Sequence, residues 1–127
     1  MTMDLTPLVP AGRQMIDSYG DGRFTVSGTV YVGSILVFPE RTLAWRVGAI
    51  AEVDPENFGP IIAAREVLEV VLLGCGARLT DVPRALRQEL RRSGLNVEFM
   101  DTGAACRTYN VLALEDRRVA AALIAVP

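Results

Sequence analysis

The segment Val67-Leu68-Glu69-Val70-Val71-Leu72-Leu73 constrains the fold more than any other: it is a short apolar run with one charge, Glu69, closed by Gly74. Such a run suits a strand covered on both faces, the kind found inside a parallel sheet flanked by helices. The sequence after it agrees. Thr80-Asp81 opens an expected helix through Arg92, closed by Gly94, with Val82, Ala85, Leu86 and Leu90 as its apolar stripe. Asp81 at its start and Arg91 and Arg92 at its end suit the helix dipole. Leu95 to Met100 reads as a strand, Thr102 to Leu114 as a helix, and Arg118 to Val126 as a final strand. Strand, helix, strand, helix, strand is the order of a layered α/β sheet.

The first half is β-rich. Residues 1–14 read as an arm, with Pro7 and Pro10 against regular structure, and residues 15–127 as one domain. Turn signals at Gly20-Asp21-Gly22, Gly28, Gly33-Ser34 and Pro39-Glu40-Arg41 divide strands near 15–19, 23–27, 29–32, 35–38 and 42–47. Asp54-Pro55-Glu56 has the signature of a helix start, and Gly59-Pro60 is expected to interrupt that helix before it ends near Arg65. The expectation is a single α/β domain with extra β-structure from the N-terminal half.

Composition removes much chemistry. All 13 basic residues of the 127-residue chain are arginine, with neither lysine nor histidine. That excludes a lysine Schiff base, a phosphate-loop lysine, a Ser-His-Asp triad, a Cys-His dyad and histidine-ligated zinc. Two cysteines, Cys75 and Cys106, are too few for a four-thiolate metal site or a disulfide framework, so no metal is expected. The longest uncharged stretch, Phe24 to Pro39, is too short to span a bilayer. The N-terminus resembles neither a secretory signal nor an Arg-rich presequence. A cytoplasmic protein in a reducing compartment is expected.

Three places could carry chemistry. The first is the turn Gly74-Cys75-Gly76-Ala77-Arg78, placed where dinucleotide folds hold phosphate, although Leu79 stands where the fingerprint needs Gly or Ala. The simpler expectation there is a tight turn needing small residues, with Cys75 buried and inert and Arg78 able to meet an anion. The second is the start of the helix after Met100. At 3.6 residues per turn, Gly103, Cys106, Arg107 and Asn110 share an arc of about 100°. Ala104, Ala105, Thr108, Val111 and Leu112 would then form the packing side. Asp101, Thr102, Cys106, Arg107 and Asn110 thus form a candidate cleft at a strand's carboxyl end. Asp101 would be an acid or base, Arg107 an anion clamp, Cys106 a nucleophile and Asn110 a positioner. The alternative is structural: Asp101 or Thr102 caps the helix and Arg107 pairs with an acid. The third is the stripe Arg84, Arg87, Arg91 with Arg92, read as a solvated helix face; in an acidic chain without an aromatic platform, nucleic acid is not an expected partner. Trp45, the single tryptophan, belongs to a core or an interface.

Several stretches together resemble a known family: Gly33-Ser34-Ile35-Leu36-Val37, Trp45, Val71 to Gly76, and above all Met100 to Leu112 followed by Glu115 to Ile124. It is the family of small domains of unknown function that includes mitochondrial respiratory complex I assembly factor 3, with a founding structure from a methanogenic archaeon. The resemblance runs from about Met15 to Ile124. It implies a three-layer α/β domain with a mixed central sheet flanked by helices and an additional β layer. It implies no established reaction and no cofactor, and it leans against an enzyme. It also implies protein partners, namely complex I subunits or a second assembly factor. Membrane association would be peripheral, through those partners; the eukaryotic relatives are mitochondrial. A homodimer is compatible with a chain of this size. Two positions depart from the family pattern. Cys75 stands where threonine is usual, and Asp116 stands where glycine is usual.

Overall fold

The computed structural model describes residues 12–79 and 81–127. Among these residues, eight strands form two sheets. β1 (Ile16–Gly20), β2 (Arg23–Val26) and β3 (Thr29–Val32) make a three-stranded antiparallel meander. β4 (Ile35–Val37), β5 (Thr42–Ala44), β6 (Val70–Gly74), β7 (Val97–Met100) and β8 (Val119–Leu123) form a mixed sheet in the order β5-β4-β8-β6-β7. β6 runs parallel to β7 and β8, and β4 runs antiparallel to β5 and β8. The helices are α1 (Gly59–Ala63), α2 (Arg84–Arg92) and α3 (Thr102–Leu114).

The expected buried strand is β6: all five of its residues are buried, and strict alternation divides the side chains of Val70 to Leu73 between two cores. Val71 and Leu73 face Phe58, Ile61, Leu86 and Leu90 on the α1 and α2 side. Val70 and Leu72 face Ala105, Tyr109 and Ala113 of α3, with Phe24 and Val26 of the small sheet. β8 is divided likewise, with Ala120 and Ala122 on one side and Val119, Ala121 and Leu123 on the other. Its three consecutive alanines leave room for bulky neighbours on both faces. The result is a three-layer domain in which the mixed sheet separates α1 and α2 from α3 and the additional β layer. Trp45 belongs to the first core, its Nε1 donating to Asn57 O (2.9 Å) and its ring edge-on to Phe58 at 6.0 Å.

Several boundaries differ from expectation. Gly59-Pro60 opens α1 instead of interrupting a longer helix. Asp54 and Asn57 exchange hydrogen bonds across a compact turn (Asn57 N to Asp54 Oδ1, 2.8 Å; Asp54 N to Asn57 Oδ1, 3.0 Å). Pro60 then sits in the first turn, where no amide is missed. α2 begins at Arg84, because Pro83 is extended (ψ 133°) and disfavours helix at Val82. Asp81 therefore lies outside its first turn; Thr80 and residues 1–11 of the expected arm lie outside the described residues. Gln14, by contrast, is fastened to the fold, its N–H donating to Pro39 O (2.9 Å). β5 stops at Ala44, although Trp45 N still donates to Ser34 O (2.9 Å). β6, β7 and β8 each start later than their apolar runs, and β8 ends at Leu123. The flanking residues approach the sheet without completing its ladder.

Candidate functional site

β6, β7 and β8 end together at Gly74, Met100 and Leu123, the sheet end where α/β folds bind ligands. Here that end is knotted. Thr102 is fully buried; its Oγ1 donates to Ile124 O (2.7 Å) and accepts from Gly76 N (3.0 Å). Its own N–H donates to Gly76 O (2.8 Å), Cys75 N donates to Met100 O (2.8 Å), and Ile124 N donates to Gly74 O (3.0 Å). Gly74 permits the approach: a Cβ there would lie 3.0 Å from Thr102 Cα and 3.1 Å from Leu123 Cδ2. Gly76 takes φ +113°, which an L side chain resists. The amides of Cys75 and Gly76, which a phosphate turn would offer, are thus spent inside the protein. Cys75 is buried against the α1 and α2 core, and burial pushes its thiol pKa up. Arg78 is exposed.

The residues of the proposed cleft take different positions. Asp101 is the α3 N-cap, its Oδ1 accepting from Ala104 N at 2.8 Å. Asn110 acts as a substitute strand for β1: its Oδ1 accepts from Ile16 N (2.9 Å) and its Nδ2 donates to Ile16 O (2.8 Å). Cys106 faces inward, which corrects the expected division of the helix. The packing side of α3 is Thr102, Ala105, Cys106, Tyr109 and Ala113, whereas Val111 is 55% exposed. A thiol packs as a small apolar group. Burial pushes the Cys106 thiol up to about 12, outweighing the opposing pull of the Arg107 charge. Tyr109, also on this side, donates its hydroxyl to Gln14 O (3.0 Å), and burial raises its pKa as well.

Arg107 remains outside. Its Nη1 donates to the Tyr19 hydroxyl (3.3 Å), and Tyr19 lies across Gly103, where an added Cβ would sit 2.5 Å from that hydroxyl oxygen. Two shallow hollows flank the pair. One of about 310 Å³ touches Asp17, Cys106 and Asn110; the other, of about 350 Å³, touches Ala77, Asp101 and Gly103. Tyr19 was not legible as a site residue, since it reaches Arg107 only through the packing of β1 on α3. A larger groove of about 690 Å³ lies at the opposite sheet end, between Phe38, Arg41, Val67, Leu68 and Arg118. Its walls come from separate segments, so no local motif announces it. Arg41 lies over the Phe38 ring at 5.0 Å there.

After α3 the chain turns at Asp116, in the left-handed region at φ +58°. Glycine suits that conformation, and aspartate is among the few other residues that tolerate it. Asp116 also pairs with Arg13, which ties the start of the described chain to this turn. Among the described residues, no cluster of His, Cys, Asp or Glu could hold a metal, and no helix is long and apolar enough to cross a membrane. On α2, Arg87 lies over the Phe99 ring at 4.8 Å, and Arg84 and Arg91 are exposed.

Known proteins match this architecture over nearly its whole length. NADH dehydrogenase [ubiquinone] 1 alpha subcomplex assembly factor 3 from Danio rerio is 35% identical over 89% of the chain, and the match covers 65% of that relative. The chain thus spans under two thirds of that relative's length. An uncharacterized protein from Rhodobacter capsulatus is 36% identical over 92% of the chain and 89% of its own length. A crystal structure described as an outer membrane protein from Bartonella henselae superposes with a TM-score of 0.82 at 36% identity, covering 91% of this chain and 98% of that one. Residues 16–124, which hold both sheets and all three helices, match the family described as protein of unknown function (DUF498/DUF598), and the chain belongs to it.

Proposed function

We propose that the protein is a non-enzymatic interaction module that helps build NADH:quinone oxidoreductase, respiratory complex I. The observation that carries this role is the 35% identity, over 89% of the chain, to a relative named as an assembly factor of the mitochondrial enzyme. The local chemistry supports it. At the strand ends, Asp101, Thr102 and Asn110 are occupied as cap, knot and substitute strand, and Cys106 is buried in its thiol form. No nucleophile and base face one another among these groups. The partners would be complex I subunits or a second assembly factor, reached from the cytoplasm.

Affinity capture of the tagged full chain from a host that makes complex I tests the role. Enrichment of NADH:quinone oxidoreductase subunits is expected; their absence under conditions that retain other partners contradicts it. A second use of the same region has one observation in its favour: the Arg107 guanidinium stands between two open hollows. A small anion held there would raise the melting temperature, because a ligand bound only to the native state stabilises it. Unchanged melting across a set of small carboxylates and phosphates at millimolar concentration would eliminate that use.

A further inference from the structure

We infer that the outer edge of β3 is a docking strand, which adds an extended, uncharged apolar segment of a partner protein to the three-stranded sheet. The inference presupposes the protein-binding role proposed above and names its surface. β2 and β3 are joined by Ser27-Gly28, both at positive φ (46° and 84°). In such a two-residue hairpin the flanking pair, Val26 and Thr29, exchanges both backbone hydrogen bonds. Alternation then turns Thr29 and Tyr31 toward β2 and sends the N–H and C=O groups of Val30 and Val32 outward. The bond from Gly33 N to Gly22 O (2.8 Å), the next inward position, fixes this phase. Among the described residues β3 pairs with β2 alone, and none of them bonds the outward groups.

The same two residues break the polar pattern of the sheet's outer face. Opposed residues share a face, which groups Ser18, Thr25 and Val30, and likewise Gly20, Arg23 and Val32. The apolar side chains among these six are Val30 and Val32, 57% and 80% exposed. Beside shortness, which four-residue β3 has, the common guards of a free edge are a charge or a proline. Here the stretch from Phe24 to Val37 carries neither. A charge-free edge fits a charge-free strand, with main-chain bonds supplying affinity and the two valines supplying preference.

A second copy fits less well. β3 spans four residues, about 13 Å at ~3.3 Å per residue. Paired with its own image it covers a strip one strand wide, against the roughly 800 Å² per partner of a stable interface. The polar residues behind the valines offer nothing to enlarge it.

Amide hydrogen exchange on the complex retrieved from the host with the tagged full chain tests the assignment. In the isolated protein the Val30 and Val32 amides are expected to exchange freely; in the complex they are expected to slow by about tenfold or more, as paired strand amides do. Val30→Pro removes one outward donor, at a position where an edge strand accepts proline. Val32→Glu places a charge on the edge without touching the core. Both are expected to lose the partner while melting like the parent. Protection elsewhere with these amides still open, retention unaffected by both variants, or a chain that holds no partner overturns the assignment. Edge protection by a protein outside NADH:quinone oxidoreductase keeps the docking strand and contradicts the assembly role; a complex I subunit bound elsewhere does the reverse.

Discussion

The strand ends around Thr102 and the free edge at Val30 and Val32 treat their polar groups in opposite ways. At the first, the hydroxyl of Thr102, the carboxylate of Asp101 and the amide of Asn110 all close onto the chain itself. At the second, backbone donors and acceptors point out of the molecule beside two exposed valines. A group engaged in folding is not available for a substrate, whereas an open strand edge can meet another chain. On the proposed reading, recognition belongs to the additional β layer and stability to the strand ends.

Substitutions can break or sharpen that contrast. Thr102→Val keeps the shape but leaves Gly76 N–H and Ile124 C=O without the hydroxyl, and should cost about 2–6 kcal/mol at roughly 1–3 for each of the two groups. Chemical denaturation would measure the loss, and a near-neutral result would mean the knot is not a structural element. Asn110→Ala releases both Ile16 groups, with an expected loss of about 1–3 kcal/mol. It should also loosen β1 against α3, seen as faster amide exchange at Ile16. Asp101→Ala removes the α3 cap, with an expected loss of about 1 kcal/mol, readable as a lower melting temperature. Full stability in that variant would return the carboxylate to the list of functional groups. At the edge, Val32→Thr should stay within about 0.5 kcal/mol of the parent, as surface changes usually do. A large destabilisation would show that the edge is folded against something and is not open.

Much of this was legible in the sequence. The run ending in Gly74 announced β6 and its burial on both faces, and α3 was bounded correctly because Asp101 and Thr102 offered a cap at the end of an apolar strand. The extra β-structure of the first half followed from closely spaced glycine turns, and its arrangement as a separate layer from the family resemblance. What the sequence hid were assignments made by tertiary packing. Cys106 looked polar on a helical wheel, yet a small thiol is what fits against the sheet, and Val111 was left outside. α2 started late because Pro83 acts on the residue before it. The pairing of Tyr19 with Arg107, 88 residues away, is set by how β1 crosses α3 and has no local signal. Of the candidate cleft residues, Asp101 and Thr102 lie at the sheet end, Cys106 is buried in the core, and Asn110 pairs with Ile16 further along α3. Their roles were not legible, because a buried hydrogen bond and a catalytic contact recruit the same residue types.

The central claim is that the protein acts by holding another protein and not by thiol or carboxylate chemistry. The most direct measurement is the amount of assembled NADH:quinone oxidoreductase in a host lacking this protein, complemented with the wild type or with Cys106→Ala. The deletion should lower the assembled enzyme. The wild type and the thiol-free variant should restore it equally, since Cys106 is buried in the core on the α3 side of the sheet. A well-folded Cys106→Ala variant that fails to restore the enzyme, or a deletion that leaves its level unchanged, would contradict the account.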